Sequence, residues 1–455
     1  MGGGDAKVRG MPGIDGGTLR AWRRSHGWDV PEVARQLRYA AHESAVHVAA
    51  HASLIRMIYA WERGDHDLSE RYELLYRQVG FPDPAGNDEP EPQPGSSAAG
   101  GQEDDPVRRQ IFVELTGISM VDALLPTRQA AQPKADTGPL ALMLTAQMTG
   151  ATAEPAKAFD LTTLSGNVSR ARSQYQACRY SELVSQLPAL LADLHVACVT
   201  LAGDARLRAY ALSADAYHVT AGFLLKAGDQ GLAYLAADRS MSAALASQDP
   251  LTVGASARIV THALMNSGQL TSAISTARNH SLRLDREIKE RTPDFLSVYG
   301  SVLLRGAIAA AQHDERGTAH EMLTEAADAA RQLGTDANLR GTAFGPVNAQ
   351  LHQVNVAVTL GDAGTAVDLA RRINLAAITV TERKASLLID VARAFFQWGR
   401  YEQAYAALRA AEQTAPEEVT ARPAVCALAR NLAALAPPGI RRDAEQFASR
   451  IGAAQ

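Results

Sequence analysis

Long hydrophobic runs are missing from this chain: no stretch of about 18 consecutive apolar residues occurs in its 455 positions, so no membrane contact is expected. Cysteine is nearly absent too. The three present, Cys178, Cys198 and Cys426, stand singly in apolar contexts without a Cys-x-x-Cys pair, which excludes a disulfide framework and reads as small buried residues. Phosphate-binding Gly-x-x-x-x-Gly-Lys, nucleophile-elbow Gly-x-Ser-x-Gly, His-Glu-x-x-His and Gly-x-Gly-x-x-Gly motifs are all lacking, so neither an enzyme nor a cofactor is expected. The formal charge of −4 excludes a broadly basic coat, and any nucleic-acid contact must be local. No apolar segment follows Met1-Gly2-Gly3-Gly4-Asp5-Ala6-Lys7, so no secretory signal is read and the cytoplasm is the expected location.

Alanine is abundant, and 46% of residues are apolar while only 5% are aromatic, a balance that favours a helical protein with a real core. The expected class is all-α. Residues 1–16, rich in glycine, read as a tail. Helical periodicity begins near Thr18, with Leu19 and Trp22 on one side, Arg20, Arg23 and Arg24 open to solvent, and Gly27 as the stop. Asp29-Val30-Pro31-Glu32 is a start signal, since Asp29 can cap and Pro31 fits the first turn. Val30, Val33, Ala34 and Leu37 then form an inner stripe of a helix that ends somewhere after Leu37.

Residues 53–64 form a two-faced helix, with Ser53 as its expected cap and Gly64 as its stop. Leu54, Ile58 and Trp61, spaced i, i+4, i+7, make an apolar stripe, and Arg56, Tyr59, Ala60 and Arg63 lie on another face. Arginine and tyrosine on an exposed face suit a DNA groove, although an ordinary amphipathic surface helix would read the same way. His47 and His51 are spaced i, i+4 as on a metal-binding helix, but no cysteine or carboxylate pair stands beside them to complete a site, and none is assigned. After Gly64, Ser69 starts a further helix with Tyr72, Leu75, Tyr76 and Val79 inward and Gly80 as its end.

Leu19-x-x-Trp22 with Gly27-Trp28, then Val30 to Leu37, then Ile58-x-x-Trp61-Glu62-Arg63-Gly64, resembles the phage-repressor (Cro-like) helix-turn-helix family. The resemblance implies that the helix of Val33 to Leu37 is the first of the motif and that the helix ending in Glu62-Arg63-Gly64 is the recognition helix, over a domain at 17–81. Two departures stand out: the connection between these helices is longer by about a dozen residues than the usual short turn, and Leu54, Ile55 and Met57 occupy positions where polar residues commonly read bases. Residues 1–82 hold 11 basic and 10 acidic residues, a net of +1, so a basic face depends on placement. On this implication Arg56 reads a base edge, Tyr59 touches a base or phosphate, and Arg35, Arg38 and Arg63 hold phosphates, while Glu62 is structural because a carboxylate would repel them.

Residues 82–106 carry seven acidic and no basic residues with little to bury, and read as a linker. A flexible chain of that length spans about 25 to 30 Å. Residues 107–160 read as a docking helix over 107–126 followed by a partly ordered connection. From 161 to 455 a repeat emerges: a helical run ends in a turn, and five residues on an apolar residue opens the next, at Cys178/Leu183, Gly228/Ala233, Gly268/Ala273, Asp314/Ala319, Gly361/Ala366 and Gly399/Ala404. The turns recur every 38 to 50 residues, a signature of stacked helical hairpins with longer units than the roughly 34 of a tetratricopeptide repeat. Phe396-Gln397-Trp398-Gly399-Arg400-Tyr401-Glu402-Gln403-Ala404 is similar to the tetratricopeptide pattern, and residues 161–455 are expected to form an α-solenoid of such hairpins.

The first helices of successive hairpins line the inner surface of such an array, so polar stripes on them are candidate ligand contacts. Arg258, His262 and Asn266 form one stripe, Ser297, Ser301 and Arg305 a second, and Asn348, His352 and Asn355 a third, with Tyr210 and Tyr217 as an aromatic set. Asparagine can pair with peptide amides and arginine can grip a carboxylate, although a solvated helix face shows polar spacing as well. A repressor-type head joined to a helical array is similar to peptide-sensing quorum regulators. That resemblance implies a cytoplasmic homodimer that binds double-stranded DNA and senses a peptide or small-molecule effector. A helical-repeat adaptor with a degenerate head is the alternative.

Overall fold

The computed structural model describes residues 16–26, 28, 30–43, 48, 51–64, 68, 70–81, 137–148 and 160–453. Among these the chain is all-helical, with twenty α-helices and no strand. It divides into two compact units, Met1–Gln102 and Glu103–Gln455. The division falls within the acidic stretch 82–106, which itself lies outside the described residues, as do the expected helix at 107–126 and His47.

The first unit contains α1 (Gly16–Ser25), α2 (Val30–Glu43), α3 (His51–Arg63) and α4 (Glu70–Gln78). Their apolar faces meet in one core of Leu19, Trp22, Val33, Leu37, Leu54, Ile58, Trp61, Tyr72, Leu75 and Tyr76. Aromatic rings concentrate here: Trp22 sets its edge against Trp28, Tyr76 and Phe81 at centroid separations of 5.4 to 5.7 Å, an arrangement that adds to simple burial. The indole of Trp22 also donates to the carbonyl of Gly80 at 3.1 Å, tying the first helix to the end of the fourth.

One boundary left open by the sequence is fixed and another differs from expectation. Helix α2 continues through the buried Ala40 and Ala41 to Glu43, because the inner stripe and alanine propensity persist past Leu37. Helix α3 begins at His51, so Ser53 lies inside the helix and is not its cap. The long connection between the two thus shrinks to 44–50, the additional residues having lengthened both helices.

Among its described residues, the second unit opens with α5 (Gly138–Met148), within the stretch expected to be a partly ordered connection, and continues through fifteen further helices. Six hairpins follow one another: α6 (Leu161–Gln176) with α7 (Tyr180–Thr200), α8 (Gly203–Ala227) with α9 (Gln230–Ser247), α10 (Pro250–Asn266) with α11 (Leu270–Glu287), α12 (Pro293–Gln312) with α13 (Arg316–Leu333), α14 (Pro346–Thr359) with α15 (Ala363–Arg371), and α16 (Thr381–Gln397) with α17 (Tyr401–Thr414). Three shorter helices close the chain, α18 (Pro416–Ala421), α19 (Pro423–Leu435) and α20 (Pro438–Arg450).

One local device builds all six hairpins. Cys178, Gly228, Gly268, Asp314, Gly361 and Gly399 are each left-handed, with φ between 56° and 85°. The residue after each donates its amide to a carbonyl five positions back, at 2.8 to 3.0 Å. This pattern satisfies the orphan carbonyls of the first helix and reverses the chain. Five residues on, Leu183, Ala233, Ala273, Ala319, Ala366 and Ala404 are wholly buried. Helix starts are equally local: Asp249-Pro250 and Thr292-Pro293 pair a side-chain cap with a proline in the first turn.

Besides its hairpin partner, each first helix packs on the next first helix, linking α6, α8, α10, α12, α14 and α16 in one inner row. The solenoid-like array then returns on itself. Helix α16 packs on α6, α18 packs on α8, and Ala385 and Ala415 join the core of the opening hairpins. The inner row is therefore enclosed by its own ends. A strap at 334–345 adds a further tie: Asn338 and Gln176 exchange amide hydrogen bonds at 2.7 and 3.0 Å, Arg340 pairs with Asp249 at 2.6 Å, and Phe344 is fully buried against Gly300. By hydropathy and length α7 and α12 are apolar enough to cross a membrane, but most of the apolar window of α12 is packed inside the array.

Candidate functional site

In the first unit, Leu54, Ile58 and Trp61 place α3 by burying its apolar stripe. Glu62 joins them, only 5% exposed, and receives Arg23 through both carboxylate oxygens at 2.5 and 2.8 Å. Arg20 donates to its backbone carbonyl at 2.9 Å. The Glu62 contact is the largest influence on Arg23 and raises its pKa. Glu62 thus locks α3 to α1, and Arg23, expected in solvent, is a partner inside that lock. Tyr59 and Arg63 stand exposed on the outer side of α3. The side chains of Arg35, Arg38 and Arg56 lie outside the described residues.

The second unit brings charge together inside the array. Arg258 on α10, Arg305 on α12 and Arg383 on α16 lie within electrostatic reach of one another, with His218 on α8, His262 on α10 and His352 on α14 among them. Burial and mutual repulsion push Arg258 down to about 9 and Arg305 to about 10. Both remain charged at neutral pH, and the push expresses first their burial and then the repulsion among the arginines. Burial and the same arginines hold His218 and His262 well below the usual imidazole range and bring His352 to about 3. The three histidines are neutral, and a neutral ring accepts: Nε2 of His218 lies 2.6 Å from an Nη of Arg258.

Beside them runs a denser network. Lys226 reaches Glu382 at 2.7 Å and Glu418 at 2.5 Å, and Arg422 reaches Glu418 at 2.5 Å. Tyr180 donates to the other oxygen of Glu418. Burial lowers the pKa of Lys226, but the two carboxylates outweigh it and hold the amine protonated. Burial likewise opposes ionisation of Glu382, and Arg383, Lys226 and Arg422 reverse it, leaving its carboxyl well below the ordinary range. Across both clusters, five basic groups (Lys226, Arg258, Arg305, Arg383, Arg422) face two carboxylates (Glu382, Glu418), leaving three positive charges in excess. Arg172 is paired with Asp215 at 2.7 Å and adds none.

Several buried polar atoms here have no partner among the described residues. They are Nε of Arg258, Arg305, Arg383 and Arg422, the Ser297 hydroxyl, and Oδ1 of Asn348 and Asn355. Such atoms are costly when left unsatisfied.

Of the stripes expected to line the inner face, Arg258, His262, Arg305 and His352 gather in this cluster. Asn348 is nearly buried beside them, its carbonyl accepting from Nδ1 of His352 at 2.9 Å. Asn355 turns instead to Asp390, donating at 2.8 Å. Ser301 is consumed by its own helix, bonding to the Val298 carbonyl, and Asn266 ends α10 at partial exposure. The aromatic pair belongs elsewhere. Tyr217 is 6% exposed in the core with Arg239 over its ring, and Tyr210 packs on the same core, because α8 turns that face toward its neighbours. His218, Lys226, Arg383 and the two glutamates were missed by helical spacing; Lys226 is signalled by charge at the end of an apolar run, whereas Glu382, Arg383 and Glu418 stand among other charges and carry no such signal. Comparison with protein-family models, with curated proteins and with solved structures gives no match.

Proposed function

We propose that the chain is a DNA-binding transcriptional regulator whose second unit dimerises and senses a small molecule or peptide. The observation that carries the proposal is the first unit's build: α2 and α3 share one core with α1 and α4, and α3 holds its apolar stripe and Glu62 inward while Tyr59 and Arg63 face out. This is the division of faces that groove docking requires. On this reading α3 enters the major groove with Arg56 at a base edge, Tyr59 at a base or phosphate, and Arg35, Arg38 and Arg63 on phosphates. The array of the second unit is of tetratricopeptide type in this proposal, with the charged inner face as its sensing surface. No catalytic role is assigned to it.

Selection of bound fragments from genomic DNA by the purified chain tests the proposal. Enrichment of one motif, lost or altered by Arg56→Ala, supports it. Absence of any enrichment at modest salt removes it, and an unchanged motif with Arg56→Ala removes that residue assignment.

A second reading is a helical-repeat adaptor whose first unit docks proteins. The engagement of Arg20 and Arg23 by Glu62 favours it, since two of the basic groups near α3 are drawn inward.

A further inference from the structure

Three arginines on three different helices of an enclosed inner row need an explanation beyond folding. Like charges repel, and a protein interior amplifies the repulsion. Lys226 and Arg422 are balanced by Glu382 and Glu418, with which they make short contacts. Arg383 has one longer contact with Glu382 at 3.4 Å, Arg258 meets a neutral imidazole, and Arg305 has no ion pair of its own among the described contacts. Their Nε–H groups point at no protein acceptor. Arg258, Arg305 and His262 are nonetheless each partly rather than fully buried, so the enclosed cluster keeps some accessible surface.

We infer that Arg258, Arg305 and Arg383 form a binding site for a small ligand carrying a dianionic phosphate group, with the hydroxyl of Ser297 and the amide of Asn348 beside it. A guanidinium is a planar fork that saturates one edge of an oxyanion. A planar carboxylate offers one such edge well, whereas a tetrahedral phosphate offers oxygens in several directions, matching forks that arrive from three helices. The three positive charges in excess are suited to a dianion. Enclosure by α6, α16 and the strap at 334–345 favours a compact ligand over a long extended peptide. Neutral His218, His262 and His352 accept or donate as the bound group requires and add no repulsion. This deepens the sensing half of the proposed function but rests only on the second unit. A chain that binds phosphate and not DNA keeps this inference and loses the regulator, and the reverse holds equally.

Calorimetric and thermal-shift titrations of the full chain at constant ionic strength test it, with inorganic phosphate, glycerol 3-phosphate, citrate, and an unphosphorylated hexapeptide. Saturable binding of a phosphate probe with a rise in Tm is expected, and Arg305→Met should weaken it at least tenfold. The apo Tm of Arg305→Met should equal or exceed that of the wild type, because the substitution removes repulsion; a structural arginine would behave oppositely. If that variant does not fold, Arg258→Gln carries the same expectation from the neighbouring helix. Saturable binding of citrate or the peptide alone, no saturable binding by any probe, or unchanged phosphate affinity in a folded variant overturns the inference.

Discussion

Lys226 and Glu382, 156 positions apart in the chain, meet at 2.7 Å inside the second unit. The contact joins α8 to α16 and so fastens the end of the array to its beginning. Both partners are about 5% exposed, and Glu418 completes the group at 2.5 Å. Breaking such a pair leaves buried charge uncompensated, which outweighs the modest net gain from forming it.

Lys226→Met should therefore destabilise the second unit by about 3 kcal/mol. Pairing it with Glu382→Gln should recover part of that loss, because it removes a buried carboxylate that has lost its short contact with Lys226. Urea denaturation of Lys226→Met, Glu382→Gln and the double variant measures both effects. A single substitution as stable as wild type would show that the two ends of the array are held by apolar packing alone.

Acid should weaken the second unit in a window set by the histidines. His218, His262 and His352 have folded pKa values below the ordinary 6.5, so the unfolded chain binds more protons as pH falls through 6.5. Stability is thus full above 6.5 and declines toward about 3, the value for His352. Around His352, burial and the cationic Arg383, Arg305 and Arg258 oppose protonation and outweigh the backbone carbonyl of Asn348, which favours it. Glu382 contributes stability above its ordinary 4.5 and loses it lower, so the interval from 5 to 6.5 belongs to the histidines. His352→Gln should flatten Tm against pH in that interval, and an unaltered slope would remove His352 from the effect.

Glu62→Gln should loosen the first unit while keeping its shape. The substitution removes a charge-assisted grip on Arg23, and hydrogen bonds of that kind contribute on the order of 1.5 to 3 kcal/mol. Amide exchange should quicken in α1 and α3 and stay as it was in the second unit. Protection equal to wild type in both helices would show that the aromatic cluster around Trp22 suffices.

Gly300→Ala should unseat the strap. A methyl group at residue 300 would fall 2.0 Å from the ring of Phe344, which is fully buried, so the ring must shift within packed surroundings. A loss of at least about 2 kcal/mol is expected, with faster proteolysis between residues 334 and 345. Wild-type resistance there would mean that Asn338 and Arg340 hold the strap unaided.

The local parts of this fold were legible in the sequence because they obey local rules. The six left-handed turns follow from the demand for a residue that reverses a helix, and the apolar residue five positions on follows from helical geometry, so Gly228/Ala233 and Gly399/Ala404 declare themselves. Leu54, Ile58 and Trp61 were legible for the same reason. The start of α3 was not: Ser53 is a good cap, yet the helix extends past it to His51. The inner cluster was half legible. Arg258 and Arg305 lie on visible stripes, but Arg383, Lys226 and Glu418 become neighbours only when the array closes, and spacing within one helix carries no information about that closure. Tyr217 misled because an aromatic at helical spacing fits a core face as well as a binding face.

Salt dependence of DNA affinity tests the central claim most directly. Fluorescence anisotropy on the full chain, with a selected fragment and a shuffled duplex of equal length, should give a preference of at least about tenfold. The logarithm of affinity should fall steeply with the logarithm of salt, since each neutralised phosphate contributes a slope of about −0.9. Equal affinity for both duplexes, or binding indifferent to salt, would contradict a DNA-binding regulator and leave a protein-docking head in its place.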